Sequence, residues 1–304
     1  MKFMNVCRGI NLIVIKYGEI WLKSPAVKRK FENILIYNIS KALESKNINL
    51  KNIFREESKI YINSDDEDKI LPLLNKIFGI VYYAKVNLVE KNIEAIRKSA
   101  YEIYKKFSEN LIKTFRITAH RSDKNFNMTS QEIAIDVGAF IVKMTGAKVK
   151  LNDPDININI AIEKERAYIF THTYEGLGGL PIGCEGRIVC ILKGRKEDLF
   201  NAFLCAKRGN FITFVSDKKD ESSNKAFIQV FEEYYFCKDK LNLISLDEIN
   251  KENLAKVCKE VNANIIASNE LNWDLFSNED YVLIITTLPF ESWEVETLTK
   301  KYFG

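Results

Sequence analysis

Histidine is nearly missing from this chain: 304 residues include only His120 and His172, and the six cysteines never form a CxxC pair. Structural zinc needs clustered thiolates and imidazoles, so no metal centre is expected. Long apolar runs are missing too. The longest, such as VLIIT and FITFV, fall far short of the ~20 residues that cross a bilayer. The first residues bring an early Arg8 and lack the basic start, apolar centre and small-residue cleavage site of a secretory leader. No repeat recurs along the chain. These absences exclude a membrane partner and predict a cytoplasmic protein. Its scattered cysteines, such as Cys190 in IVCIL and Cys205 in AFLCAK, read as reduced, buried thiols.

What is present is an ordinary globular composition, 46% hydrophobic and 28% charged, long enough for two or three domains. The net charge of +4 is unevenly spread. Residues 1–180 hold 29 Lys and Arg against 21 Asp and Glu, and the remainder holds 16 against 20. A basic front and an acidic back suit the docking of a polyanion on the front half.

Local patterns divide the chain into modules. INLIVIKYG reads as a strand. SPAVKRKFENILIYNISKALE reads as a helix begun by Ser24 as N-cap and Pro25, with Phe31, Leu35, Ile39 and Leu43 on one face. Two strand signals, an acid-started helix and the strand IVYYAKVNLV complete a β-α-β-β-α-β order, which predicts a ferredoxin-like domain over 1–90. A second unit, 91–175, holds an amphipathic helix, the basic strand TFRITAHRS, a helix with a Thr129–Glu132 capping box, and further strands. His172 reads as a strand residue with a satisfied ring. The glycine-rich stretch GLGGLPIGCEG, 176–186, reads as a linker. Beyond it, over 187–304, apolar runs alternate with helical patterns, which predicts a Rossmann-like parallel sheet with helices on both faces.

Several segments, in order, carry a resemblance. KYGEIWLKS with KRKFENILIYNI, FRITAHRSDKNF with TSQEIAIDVGAFIVKMTGAKVKLNDPDI, and YEGLGGLPIGCEGRI are similar to successive parts of tRNA 4-thiouridine synthetases (tRNA sulfurtransferases), over about residues 13–190. The resemblance implies a THUMP domain over 91–175, a PP-loop ATPase-type third domain, tRNA bound near its acceptor stem, and a homodimer. The residues support RNA binding on their own terms, because A-form RNA offers mainly phosphates and 2′-hydroxyls. The expected contacts are Lys16, Lys23, Lys28, Arg29 and Lys30 around the first helix start, and Arg116, His120, Arg121, Lys124, Lys143 and Lys148 in the second unit.

In the resembled family, the strand after the linker enters a Ser-Gly-Gly-x-Asp-Ser turn that grips ATP. The matching stretch here departs from it. After Ile191 and Leu192, Lys193 stands at the first serine, Gly194 at the first glycine and Arg195 at the second. Lys196 follows, Glu197 stands at the aspartate and Asp198 at the last serine. A phosphate nest needs converging amides and close backbone approach. Arg195 crowds that approach, and Asp198 sets an anion beside a polyphosphate. Ile191–Arg195 therefore reads as a vestigial nucleotide site, with no catalytic residue assigned. Further on, IIASNEL aligns with the family's TGE segment, Asn269 at the glycine, but the catalytic insert beyond is missing. The expectation is a tRNA-binding protein with no cofactor of its own, possible helper to an active thiolation enzyme. The alternative is an active sulfurtransferase that uses ATP-Mg through an atypical site or a partner subunit.

Overall fold

The computed structural model describes residues 10–56, 58–108, 114–237, 240–269, 281–284, 286 and 291–303. β1 (Ile10–Tyr17) passes through one 3-10 turn (Glu19–Leu22) into α1 (Pro25–Ser45). Pro25 takes the first helical position, where a missing N–H costs nothing, and the stripe Phe31, Leu35, Ile39, Leu43 is buried. Ser24 holds the N-cap position, but its side chain makes no capping hydrogen bond. The fixed φ of Pro25 starts this helix without it.

β2 (Asn52–Glu56) and β3 (Lys59–Asn63) pair antiparallel, and α2 (Glu67–Leu74) leads into β4 (Ile80–Glu90). The strand order β2-β3-β1-β4, with β1 antiparallel to β3, makes this module ferredoxin-like. A second module follows: α3 (Ile93–Ser108), β5 (Thr114–Arg121), α4 (Ser130–Thr145), β6 (Lys148–Val149), β7 (Ile156–Ile162), β8 (Arg166–Phe170) and β9 (Tyr174–Glu175). The two modules share one nine-stranded sheet, because β4 is eleven residues long and pairs with β1 on one side and β8 on the other. On one face Ile156, Ile158, Ile160 and Ile162 alternate inward against α3 and α4.

The expected capping box is present. Thr129 Oγ1 accepts from the Glu132 N–H at 3.2 Å, and Glu132 accepts from the Thr129 N–H at 2.7 Å. Thr129→Ala should therefore cost about 1 kcal/mol, read as a lower denaturant midpoint at unchanged slope.

The sheet curls. The hydroxyls of Tyr61 (β3) and Tyr168 (β8) lie 2.8 Å apart although β1 and β4 separate their strands. Two ion pairs, Lys59 with Glu163 and Arg166 with Glu56, close the same curve. Burial raises both tyrosine pKa values, that of Tyr168 to about 12.

The remaining elements are β10 (Arg187–Ile191), α5 (Lys196–Lys207), β11 (Phe211–Asp217), α6 (Glu221–Phe231), β12 (Asn242–Leu246), α7 (Lys251–Val261), β13 (Ile265–Ala267), β14 (Val282–Ile284) and α8 (Ser292–Phe303). All five strands run parallel in the order β12-β11-β10-β13-β14. Residues of α5, α6 and α8 fill one face and those of α7 the other, the doubly wound arrangement expected from the alternation.

Residues 176–186 are no loose connection. Gly176 and Gly178 donate to the carbonyls of Val81 and Ile80 at the start of β4. Leu180 donates to that of Lys207, and Gly183 to that of Gly209, at the end of α5. Leu180 and Ile182 are buried. Gly176 and Gly179 are needed here because the carbonyls of Ile80 and Lys207 pass too close for a side chain, a requirement that looks like a linker in sequence. The chain forms two compact units. One gathers the described residues up to 15, 51–67 and 82–174; the other gathers 16–50, 68–81 and those from 175 on. Among the described residues, no helix is long and apolar enough to cross a membrane.

Candidate functional site

In the first unit, β5 alternates. Phe115 and Ile117 enter the core while Arg116 and His120 are exposed on the other face. Parallel register places Lys148 beside Thr114, and Asn157 and Asn159 beside Arg116 and Thr118. Lys148, Arg116 and His120 therefore share one sheet face with two amides. Arg116 donates to the Leu151 carbonyl at 3.1 Å, and Thr118 to Asn157 Oδ1 at 2.9 Å.

The other expected contacts of this unit are placed differently. Arg121 donates to the carbonyls of Phe126 (2.7 Å) and Lys124 (3.4 Å), so its guanidinium holds the loop that follows β5. Lys124 is exposed on that loop. Lys143 ends α4, whose Ile133, Val137 and Ile141 pack on the opposite sheet face. His172 is exposed between β8 and β9 and belongs to neither strand, since the chain leaves β8 at Phe170. Its ring does have a partner: Nδ1 lies 2.9 Å from Thr171 Oγ1.

In the second unit, Lys16, Lys23, Arg29 and Lys30 are exposed around the 3-10 turn and the start of α1, and Lys28 is half-buried. The single carboxylate among residues 16–30, Glu19, is drawn aside by Arg208, which reaches its two oxygens at 2.9 and 3.1 Å. The Lys28 ammonium lies 4.3 Å from the Trp21 ring centroid. The sequence reading of this turn took its cations and passed over Trp21. Its signal was an aromatic between Ile20 and Leu22 and just before Lys23, where an amphipathic turn has no need of one.

The turn between β10 and α5 belongs to the same unit. Ile191 and Leu192 are core residues on opposite sheet faces, so only Lys193–Arg195 form the turn itself. Gly194 has φ +80°, the left-handed conformation that lets successive amides converge. They converge on a side chain. Asp198 Oδ2 accepts from the Lys193 N–H at 2.9 Å and the Arg195 N–H at 3.3 Å, and Arg195 Nη2 donates to Oδ1 at 3.1 Å. Asp198 is 1% exposed. Burial pushes its carboxyl above the ordinary range, and the two amides and Arg195 pull it back. A nest for an anion is present, and the chain's own carboxylate occupies it. The sequence signal for this was Asp198 three residues after the N-cap, the reciprocal half of a capping box.

Two buried cysteines of this unit are poor nucleophiles. Burial pushes the Cys184 thiol up to about 12 and raises that of Cys190 well above its ordinary value. All five described cysteines are buried; Cys7 lies outside the described residues, as do residues 270–280 just beyond Asn269. Among the described residues, no three His, Cys, Asp or Glu are grouped to hold a metal ion.

Comparison with known proteins gives a consistent result. Residues 12–84 match the ThiI ferredoxin-like domain, and residues 90–172 match the THUMP domain. A probable tRNA sulfurtransferase of Thermococcus kodakarensis is 33% identical over 258 residues, covering 83% of this chain and 67% of that protein. One of Methanocaldococcus jannaschii is 37% identical over 230 residues, covering 73% and 60%. The chain thus spans about two thirds or less of the length of these relatives. Among solved structures, PH1313 from Pyrococcus horikoshii superposes with a TM-score of 0.81 at 27% identity, covering 96% of this chain and 99% of that one. A 4-thiouridine synthetase solved with RNA and ATP shares the fold, with a TM-score of 0.76 at 22% identity, covering 96% and 85%.

Proposed function

Since the chain belongs to the tRNA sulfurtransferase family, we propose that it binds tRNA through the Arg116–His120–Lys148 face and the Lys16–Lys30 turn, and that its own third domain does not adenylate the RNA. The single observation that carries the second half is Asp198 seated on the amides of Lys193 and Arg195. An incoming phosphate would meet a buried carboxylate. At ~4 Å, two like charges repel by about 4 kcal/mol at an effective dielectric near 20. Burial, which raises the Cys184 and Cys190 thiols, makes both poor candidates for sulfur relay. In this reading the protein serves as a tRNA-holding partner of an enzyme with an intact Ser-Gly-Gly-x-Asp-Ser turn.

ATP-Mg should leave the melting temperature of the wild-type protein unchanged. Arg195→Gly combined with Asp198→Ser, which opens the nest, should let saturating ATP-Mg stabilise the protein; a hundredfold excess over Kd corresponds to about 2.7 kcal/mol. Stabilisation of the wild type by ATP-Mg, or 4-thiouridine formed when purified protein meets tRNA, ATP-Mg and sulfide, would overturn the reading. Either result would favour an active sulfurtransferase with an atypical site, in which Lys193 and Lys196 attract the triphosphate. The names carried by the curated relatives speak for that second reading.

A further inference from the structure

Trp21 has no structural duty that its position explains. Gly18 passes so close to Val81 that a Cβ there would lie 2.8 Å from Val81 Cγ2, and Ile20 is fully buried, so the 3-10 turn is anchored on both. The same turn sends Trp21 and Leu22 outward, 62% and 83% exposed. Trp21 and Leu22 together make an exposed apolar patch rimmed by charged residues, the kind of surface that marks an interaction site. The surrounding charge says for what kind of partner. Lys16, Lys23, Lys28, Arg29 and Lys30 stand around the turn, and Glu19 is held by Arg208. A polyanion fits this ring of cations, and a nucleic acid also brings flat bases to an exposed indole.

We infer that Trp21 is a stacking platform for an unpaired base of the bound RNA. Lys28 over the ring narrows its rotamers, and with the indole 62% exposed a flat partner has room to stack. Bases inside an A-form duplex are stacked on one another and cannot reach the ring, whereas unpaired bases can. The neighbouring cations neutralise the phosphates on either side of the stacked nucleotide. This inference rests on the RNA-binding proposal above and adds which part of the RNA is touched.

The test uses the full chain, an unmodified tRNA transcript, and a blunt RNA duplex with no unpaired base. Trp21→Ala should weaken binding of the transcript about tenfold, within the range that base–aromatic stacking gives, and leave duplex binding unchanged. Trp21→Phe should retain most of the affinity. Transcript should quench part of the wild-type tryptophan emission, and Trp21→Phe should lose that part. An unchanged melting temperature in both variants shows that the fold is intact. Equal losses on the two RNAs, or no loss and no quenching, would overturn the stacking role while tRNA binding stands. If the wild-type protein binds neither RNA, both readings fall.

Discussion

Charge reversal at Arg116 and Lys148 together should lower tRNA affinity on the order of a hundredfold near 0.1 M salt and flatten its salt dependence. The two side chains lie on one exposed face, two residues apart in register through Thr114, and neither supports the core. Each cation that neutralises a phosphate releases a condensed counterion, so each lost contact reduces the slope of log K against log salt by about 0.7–0.9. A double reversal removes two such contacts and adds repulsion. The measurement is an electrophoretic shift or anisotropy titration at three or more salt concentrations. Arg116→Glu also forfeits one exposed hydrogen bond to Leu151, a small cost that a melting curve will bound. Arg121 is the wrong residue for this test, since its loss would release the loop carbonyls it holds. Unchanged affinity and slope would remove this face from the RNA interface.

The second large effect concerns folding. Gly179→Ala should destabilise its unit by upward of about 3 kcal/mol, with a melting temperature lower by on the order of 10 °C. An ideal Cβ at Gly179 would lie 2.2 Å from the Lys207 carbonyl oxygen and 2.7 Å from Lys207 Cγ. That same carbonyl accepts the Leu180 N–H at 2.9 Å, so making room breaks the hydrogen bond. The neighbouring Gly178 is the control. It has φ +67°, close to the +72° of Gly179, yet a Cβ there meets nothing within 4 Å. Gly178→Ala should therefore show only the conformational cost, about 1–2 kcal/mol. Equal losses for the two variants would mean that φ, and not the close approach, decides both.

Local rules were legible where a few adjacent residues set the structure. The Thr129–Glu132 box, the alternating isoleucines of β7 and the apolar stripe of α1 each follow from a period or a cap. Long-range pairing was not. Nothing near Tyr61 announces that its hydroxyl will meet Tyr168, 107 residues later, or that β4 will join two modules in one sheet. The glycine-rich stretch misled for a related reason: close backbone approach and flexibility select the same residue. At the candidate sites, residue types were readable and allegiances were not. Arg121 could bind a phosphate or a carbonyl, and only the fold of the 122–128 loop decides. Lys143 and Arg116, both cations of one module, end on opposite sides of the sheet, Lys143 on the helix that packs one face and Arg116 on the other face.

Under the proposed function, the carboxylate seated at the β10–α5 turn makes nucleotide binding a competition. Asp198 is tethered three and five residues from the two amides it occupies, so its effective concentration there belongs to the intramolecular range, millimolar or above for short tethers. A free triphosphate arriving from solution must displace a rival that never diffuses away. Donors that converge, covered by one acidic side chain and the arginine beside it, are two substitutions from being open to a ligand.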